Sequence, residues 1–60
     1  MKYRCEILDS ATGEWHKVSE GTALWAAVAV AKNGSRHNHE CRVLEVTNRE
    51  IERYVNGHAT

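Results

Sequence analysis

The segment from Ala23 to Asn33 restricts this chain more than any other, because it has the pattern of a helix that is apolar almost all the way round. Lys32 is its one charged side chain. At about 100° per residue, one stripe forms the predicted core face and consists of Leu24, Ala27, Val28 and Ala31. Off that stripe lie Trp25, Ala26, Ala29 and Val30. A helix of this kind is normally covered on more than one side.

The ends of this helix carry recognisable signals. Residues Ser19 to Thr22 offer side-chain oxygens that suit a helix start, and Glu20 suits the positive end of the helix dipole. Gly34 is the expected C-terminal cap. We therefore predict the helix over residues 23–33.

A β-hairpin is predicted before the helix, with strands over 2–8 and 14–18 and a turn over 9–13. The preferred register sets Leu8 opposite Trp15, which keeps Lys17 out of the core. One face of the hairpin then carries Tyr3, Cys5, Ile7, His16 and Val18. A slip of one residue would instead bring Trp15 to the core.

A second strand pair is predicted after the helix. The third strand covers Glu40 to Thr47, with Leu44 and Val46 facing inward, and Asn48-Arg49 forms a turn. Residues 51–55 fit a strand better than a short helix, and residues 57–60 are expected to fray. The predicted fold is an α+β domain, ββαββ, with one helix on an antiparallel sheet of order 2-1-3-4. The alternative is ββαβ with a helical C-terminal turn.

The length of 60 residues allows one domain, over 1–60, with a thin core: seven of the hydrophobic residues are alanine and there is no Phe. Eight basic and eight acidic side chains give a net charge of zero, which argues against a dedicated nucleic-acid or membrane-surface binder and favours self-association. We see no signal peptide and no apolar run of about 20 residues, so we expect a cytoplasmic protein with free thiols.

A zinc site is the sharpest alternative that the residues raise. His37, His39 and Cys41 would share one side of an extended strand, with Cys5 or His16 as a fourth ligand. This spacing is not typical of zinc sites, so we expect a polar loop with no metal and no cofactor. Neither thiol has a base and an orienting group beside it in the pattern, so we also expect no catalytic residues and no enzyme activity.

Two surfaces are candidates for binding. The open sheet face is predicted to present Leu8, Trp15, Val43 and Tyr54 as partner-binding residues, with Cys41 beside them and a charged rim formed by Arg4, Lys17, Glu45 and Glu52. Self-association is assigned to Ala26, Ala29 and Val30 on the helix, with the open sheet face as the competing surface, whereas Trp25 is expected to wrap the edge of the core.

The function that we predict is a small non-enzymatic protein-interaction module, such as an inhibitor or adaptor, that occupies the surface of a partner protein and forms a homodimer. A phage or mobile-element origin is a general expectation for tiny proteins rather than a property of these residues. The first alternative is a nucleic-acid-binding accessory protein that uses the open sheet face or residues 32–42. The second is a small metal-binding domain.

Overall fold

The computed structural model describes residues 1–36, 39–45 and 49–60 and has one helix packed on an antiparallel sheet. In these residues the elements are β1 (Tyr3–Asp9), β2 (Glu14–Gly21), α1 (Leu24–Gly34), β3 (Glu40–Glu45), β4 (Glu50–Val55) and β5 (His58–Ala59). The strand order is β2-β1-β3-β4-β5. The predicted α+β fold is confirmed, as is the order of its four strands, and the helical alternative for residues 51–55 is wrong.

The β1–β2 hairpin closes through a turn whose polar groups are satisfied locally. Gly13 takes a φ of 76°, which its missing Cβ permits, and its N–H donates to the carbonyl of Asp9 at 2.7 Å. The Asp9 side chain accepts the N–H of Ala11 at 2.9 Å. That hydrogen bond is the main cause that holds the pKa of Asp9 below its usual range.

The predicted register of this hairpin is correct as far as Lys17. Leu8 lies opposite Trp15, and Ile7 lies opposite His16, so the slipped alternative is wrong. Beyond that point a β-bulge inserts Val18, so Cys5 pairs with Ser19 rather than with Val18. As a result Val18 is 50% exposed, and its predicted place in the core is wrong.

The pairing of β3 with β1 decides which of its side chains face the helix. Cys5 lies opposite Val43, and Ile7 lies opposite Cys41. Directly opposite residues of an antiparallel pair share a face, so both β3 residues point toward α1. Leu44 lies opposite Arg4 on the other face, which contradicts its predicted inward direction, although it is buried. The companion prediction for Val46 lies outside the described residues.

The core lies between α1 and the sheet and consists of Cys5, Ala27, Ala31, Cys41, Val43 and Tyr54. The two alanines let the helix approach the strands closely. The end of the helix is equally close, since a Cβ on Gly34 would lie 3.3 Å from the Sγ of Cys41. Leu24, predicted in the core stripe, is 40% exposed at the first position of α1.

Both ends of α1 differ from the predicted caps. Ala23 occupies the N-cap position, and among the described residues no side chain caps the helix start, because residues 19–21 continue β2 instead. Gly34 is the last helical residue, and Ser35 follows as the C-cap. The chain therefore passes from strand to helix within two residues.

Ser35 also anchors the C-terminal segment. Its side chain is buried, donates to the carbonyl of Lys32 at 3.0 Å and accepts the N–H of Gly57 at 2.9 Å. The N–H of Thr60 donates to the carbonyl of Arg53 at 3.0 Å. The first two bonds tie Gly57 to the end of α1 and the last ties Thr60 to β4, so the residues predicted to fray are paired with the rest of the fold in the structure.

Candidate functional site

The open sheet face is the side of the sheet away from α1, and the Trp15 side chain lies on it, contributed by the edge strand β2. The guanidinium carbon of Arg42 lies 4.1 Å from the centre of the Trp15 ring, and that of Arg53 lies 5.4 Å away. Both distances fit cation–π contacts. Leu8 lies opposite Trp15 on the neighbouring strand and shares this face, as predicted.

Glu6 is the most buried charge on this face. Its Oε1 lies 2.8 Å from Nη2 of Arg42, and its Oε2 lies 3.0 Å from Nε of Arg4. The exposed fraction of its side chain is 11%, so water screens these contacts less than it screens ordinary surface pairs. A carboxylate in this position needs both cations.

Further ion pairs continue from Arg42 across the same face toward β4. Arg42 lies 3.9 Å from Glu50, whose Oε1 lies 2.7 Å from Nη2 of Arg53. Arg53 also contacts Glu40 at 2.9 Å. We call the whole set the ion-pair chain; it runs through Arg4, Glu6, Arg42, Glu50, Arg53 and Glu40.

The ion-pair chain alternates in sign and sums to zero. Each of its arginines already contacts a carboxylate, so a phosphate would have to displace an existing partner. Arg42 and Arg53 also cover Trp15. The protein's own side chains therefore cover this side of the sheet. Little of the charge in the ion-pair chain is left unpaired for binding a ligand.

Two residues predicted for this face lie elsewhere. Val43 is fully buried under α1, and Tyr54 lies opposite Cys41 on the same inner face, with 7% of its surface exposed. The cause is the β1–β3 register, which turns Cys41 and Val43 inward. Of the four predicted partner-binding residues, Leu8 and Trp15 are brought together, and Val43 and Tyr54 are not.

The outer helix face is the side of α1 turned away from the sheet, and it is formed by Trp25, Ala26, Ala29, Lys32 and Asn33. Trp25 is 78% exposed, so the prediction that it wraps the core edge is wrong. Ala29 is exposed and Ala26 is half-buried, as expected for residues off the core stripe. Val30 packs against the core instead, contrary to its predicted position.

Exposed apolar side chains extend this surface at the start of the helix. Leu24 is 40% exposed and Met1 is 75% exposed. Tyr3 pairs with Gly21 at the end of β2, which places the N-terminus and the helix start at the same end of the domain. A depression of about 50 Å³ beside them is lined by Lys2, Tyr3, Arg4, Glu20 and Glu45. It is far smaller than the roughly 300 Å³ of a typical small-molecule site.

Both cysteines are free and lie in the core. Burial, followed by the neighbouring Cys41 and Glu6, raises the pKa of Cys5 to about 11. Cys41 is 1% exposed, which contradicts its predicted place on the open sheet face, and this burial also raises its pKa. A thiol must ionise to act as a nucleophile or a metal ligand, so neither residue is prepared for such a role.

The residues of the alternative zinc site are not all described. Cys41 points into the core, His39 is exposed, and His37 lies outside the described residues. Within 1–36, 39–45 and 49–60, no three His, Cys, Asp or Glu side chains form a group that could hold a metal ion. In the same residues, no helix has the length and apolar character needed to cross a membrane.

The thiols give a direct test of the core. We expect Cys5 and Cys41 to react with a thiol reagent at neutral pH only as fast as the domain opens, because both are buried with raised pKa values. An Ala11→Cys variant, with a thiol in the exposed hairpin turn, is the control and should be modified at once. Rapid modification of Cys41 in the native wild type would contradict its position beneath α1.

Comparison with known proteins adds no functional information. No protein-family model, curated protein or solved structure shows a significant match to this chain.

Proposed function

We propose that this chain is a non-enzymatic protein-interaction module that acts by occupying the surface of a partner protein through the outer helix face. The observation that carries the proposal is the 78% exposure of Trp25. Tryptophan is the side chain most enriched among residues that dominate binding energy, and its burial removes a large apolar area from water. A single exposed tryptophan on an otherwise charged helix would need no explanation, but Lys32 is the one charged side chain of this helix.

The composition around Trp25 supports the proposal. The first turn of α1 has no acidic residue, and Lys32 is the basic residue of its last turn. Leu24 and Ala29 are also exposed. An ordinary solvent-facing helix surface is charged or polar, so an apolar one suits a helix that is covered in use.

The open sheet face receives less support as the binding surface, and so does the nucleic-acid alternative that would use it. Trp15 is covered by Arg42 and Arg53, and these cations are neutralised by neighbouring carboxylates. Binding a phosphate backbone depends on cations whose counterions can be released. A non-catalytic role is supported by the raised pKa values of both thiols.

The test is capture of a partner by the immobilised chain, compared between wild type and Trp25→Ala. We expect Trp25→Ala to weaken binding at least about tenfold, the effect of losing roughly 1.4 kcal/mol at a central tryptophan. Because Trp25 is mostly exposed, the same variant should change the free energy of unfolding by less than about 0.5 kcal/mol. Lys17→Ala, on the open sheet face, is the control and should bind as wild type does. Partner binding that survives Trp25→Ala and fails in Lys17→Ala would refute the assignment.

A further inference from the structure

We infer that Asn56 is a site of spontaneous covalent modification, at which the side-chain amide is converted to aspartate or isoaspartate, and that the buried hydroxyl of Ser35 controls the rate. The inference goes beyond the proposed function, because the site lies in the turn between β4 and β5 and includes no residue of the outer helix face. The reaction consumes one water molecule, and its product carries one more negative charge than the native chain.

The chemistry begins at the peptide nitrogen of Gly57, which follows Asn56 in the chain. After this nitrogen gives its proton to solvent, its electron pair attacks the side-chain amide carbon of Asn56. A carbon–nitrogen bond forms, the side-chain nitrogen takes up a proton and leaves as ammonia, and a five-membered succinimide ring results. Water then opens the ring at the side-chain carbonyl to give aspartate, or at the main-chain carbonyl to give isoaspartate. Glycine favours the attack because it has no Cβ to obstruct it.

The turn between β4 and β5 holds the two reacting groups apart. Val55 pairs with His58, so Asn56 and Gly57 form a two-residue turn, and their φ values of 56° and 83° are typical of type I′. In the left-handed region ψ is about 47°, which sets the nitrogen of the next residue trans to Cβ. Closing the ring needs that nitrogen and Cβ on the same side of the Cα–C bond. The turn must therefore open before Asn56 can react.

Ser35 opposes this opening at the attacking nitrogen itself. Its hydroxyl, on a residue with no exposed surface, accepts the N–H of Gly57 at 2.9 Å and donates to the carbonyl of Lys32 at 3.0 Å. The Gly57 nitrogen is therefore held in its protonated form and tied to the end of α1. Asn56 is exposed, so water reaches the site as soon as the turn opens.

The chain contains a second Asn–Gly pair, Asn33–Gly34, which we expect to react more slowly. These residues close the last turn of α1, and a Cβ on Gly34 would lie 3.3 Å from the Sγ of Cys41. Releasing them means lifting the end of the helix from the core. By contrast, β5 is two residues long and lies at the edge of the sheet. A short edge strand opens at a lower cost in free energy than a helix packed on the core.

Incubation at mildly alkaline pH, followed by peptide mapping with mass spectrometry, measures the conversion of each asparagine separately. We expect the wild type to be modified at Asn56 before Asn33. Ser35→Ala should speed conversion at Asn56 about tenfold, because the Gly57 N–H loses its buried acceptor. Arg42→Met is the matched control, since it weakens the fold from the open sheet face and leaves Ser35 and the turn intact. It should change the rate at Asn56 by less than about twofold, because the reaction needs local opening alone.

Isoaspartate formation should also release the C-terminal strand. It adds one backbone atom to a two-residue turn, so Val55 and His58 can no longer pair as they do in the native chain. In nuclear magnetic resonance spectra of the isolated isoaspartate form, the amide signal of His58 should move to that of an unstructured chain. An unchanged signal would contradict the turn geometry on which the protection of Asn56 depends.

Four results would overturn the inference, with the chain unfolded in guanidinium chloride as the reference for an unprotected sequence. One is modification of Asn33 before Asn56, and another is an Asn56 rate that Ser35→Ala leaves unchanged. The third is an equal increase in that rate in Arg42→Met and Ser35→Ala, which would mean that the reaction requires global unfolding. The last is no conversion of Asn56 in the folded wild type and in folded Ser35→Ala while the unfolded chain is converted. The proposed function is tested separately, by whether partner binding depends on Trp25.

Discussion

Replacing Val43 with aspartate is expected to leave the domain unfolded at room temperature. The side chain is fully buried between β3 and α1, opposite Cys5, so a carboxylate there would lose its water without gaining a partner. The cost of several kcal/mol matches or exceeds the whole stability expected of a domain of this size. Circular dichroism followed against temperature and against urea concentration would measure the loss.

Val18→Asp is the matched control for this substitution. It makes the same chemical change in a strand, but at a bulge where the valine is 50% exposed. The free energy of unfolding should change by no more than about 0.5 kcal/mol. If Val43→Asp folded as well as Val18→Asp, Val43 would have to face solvent, and the β1–β3 register would be wrong.

Local pattern was sufficient to predict the helix, the four longer strands and the turn of the first hairpin. The turn over 9–13, the alternation of Tyr3, Cys5 and Ile7, and the helical spacing of Ala27 and Ala31 all act within a few residues of each other. Nothing in this alternation marks the bulge at Val18, because a bulge depends on how the strand fits its neighbour rather than on its own residues. The consequence was a valine wrongly placed in the core.

The facing of β3 could have been predicted better. Glu40 and Arg42 alternate with Cys41 and Val43, which is a clear signal that the latter pair faces inward. Leu44 obscured it, since an apolar residue on the opposite face suggested the reverse assignment. The structure accommodates Leu44 on the open side opposite Arg4, where it is nonetheless buried. The competing signals could be separated only by the register with β1.

The exposure of Trp25 has a similarly simple origin. Ala27 and Ala31 face the sheet, and Trp25, two residues before Ala27, is rotated about 200° away from it on the helix. These small residues allow α1 to pack closely on the strands, and the largest side chain of the helix then lies on the side away from the sheet. The helical spacing contained this information, but the expectation that a small domain uses its aromatic residues in the core outweighed it.

The two faces of the domain consequently differ in kind. On the open sheet face, arginines cover Trp15 and carboxylates neutralise the arginines, so the protein itself completes the surface. On the outer helix face, Trp25 has no comparable cover, being 78% exposed. An interaction module needs one face whose side chains already satisfy one another in water. It also needs a second face whose apolar area is removed from water when a partner binds. This contrast is the reason for assigning binding to the helix.

The ion-pair chain should in turn contribute measurably to stability. We expect Arg42→Met to lower the free energy of unfolding by about 2 kcal/mol, because it leaves the Glu6 carboxylate, 11% exposed, without its contact at 2.8 Å. Arg42 also covers Trp15 at 4.1 Å, so the fluorescence of Trp15 should shift toward that of a solvent-exposed indole. Urea denaturation followed in a Trp25→Phe background would report on Trp15 alone.

Arg49→Met provides the control for this substitution. Arg49 contacts Glu45 at 3.1 Å, but its side chain is 69% exposed, so removing that pair should change the free energy of unfolding by less than about 1 kcal/mol. In the double variant Glu6→Leu with Arg42→Met, most of the stability should return, since neither charge is then left buried alone. Two results would show that burial of Glu6 does not make its partner essential. One is an equal loss of stability in Arg42→Met and Arg49→Met, and the other is a double variant that is less stable than Glu6→Leu alone and than Arg42→Met alone. Recovery of stability in the double variant would instead show that the charged residues of the ion-pair chain stabilise the sheet only when their partners are present.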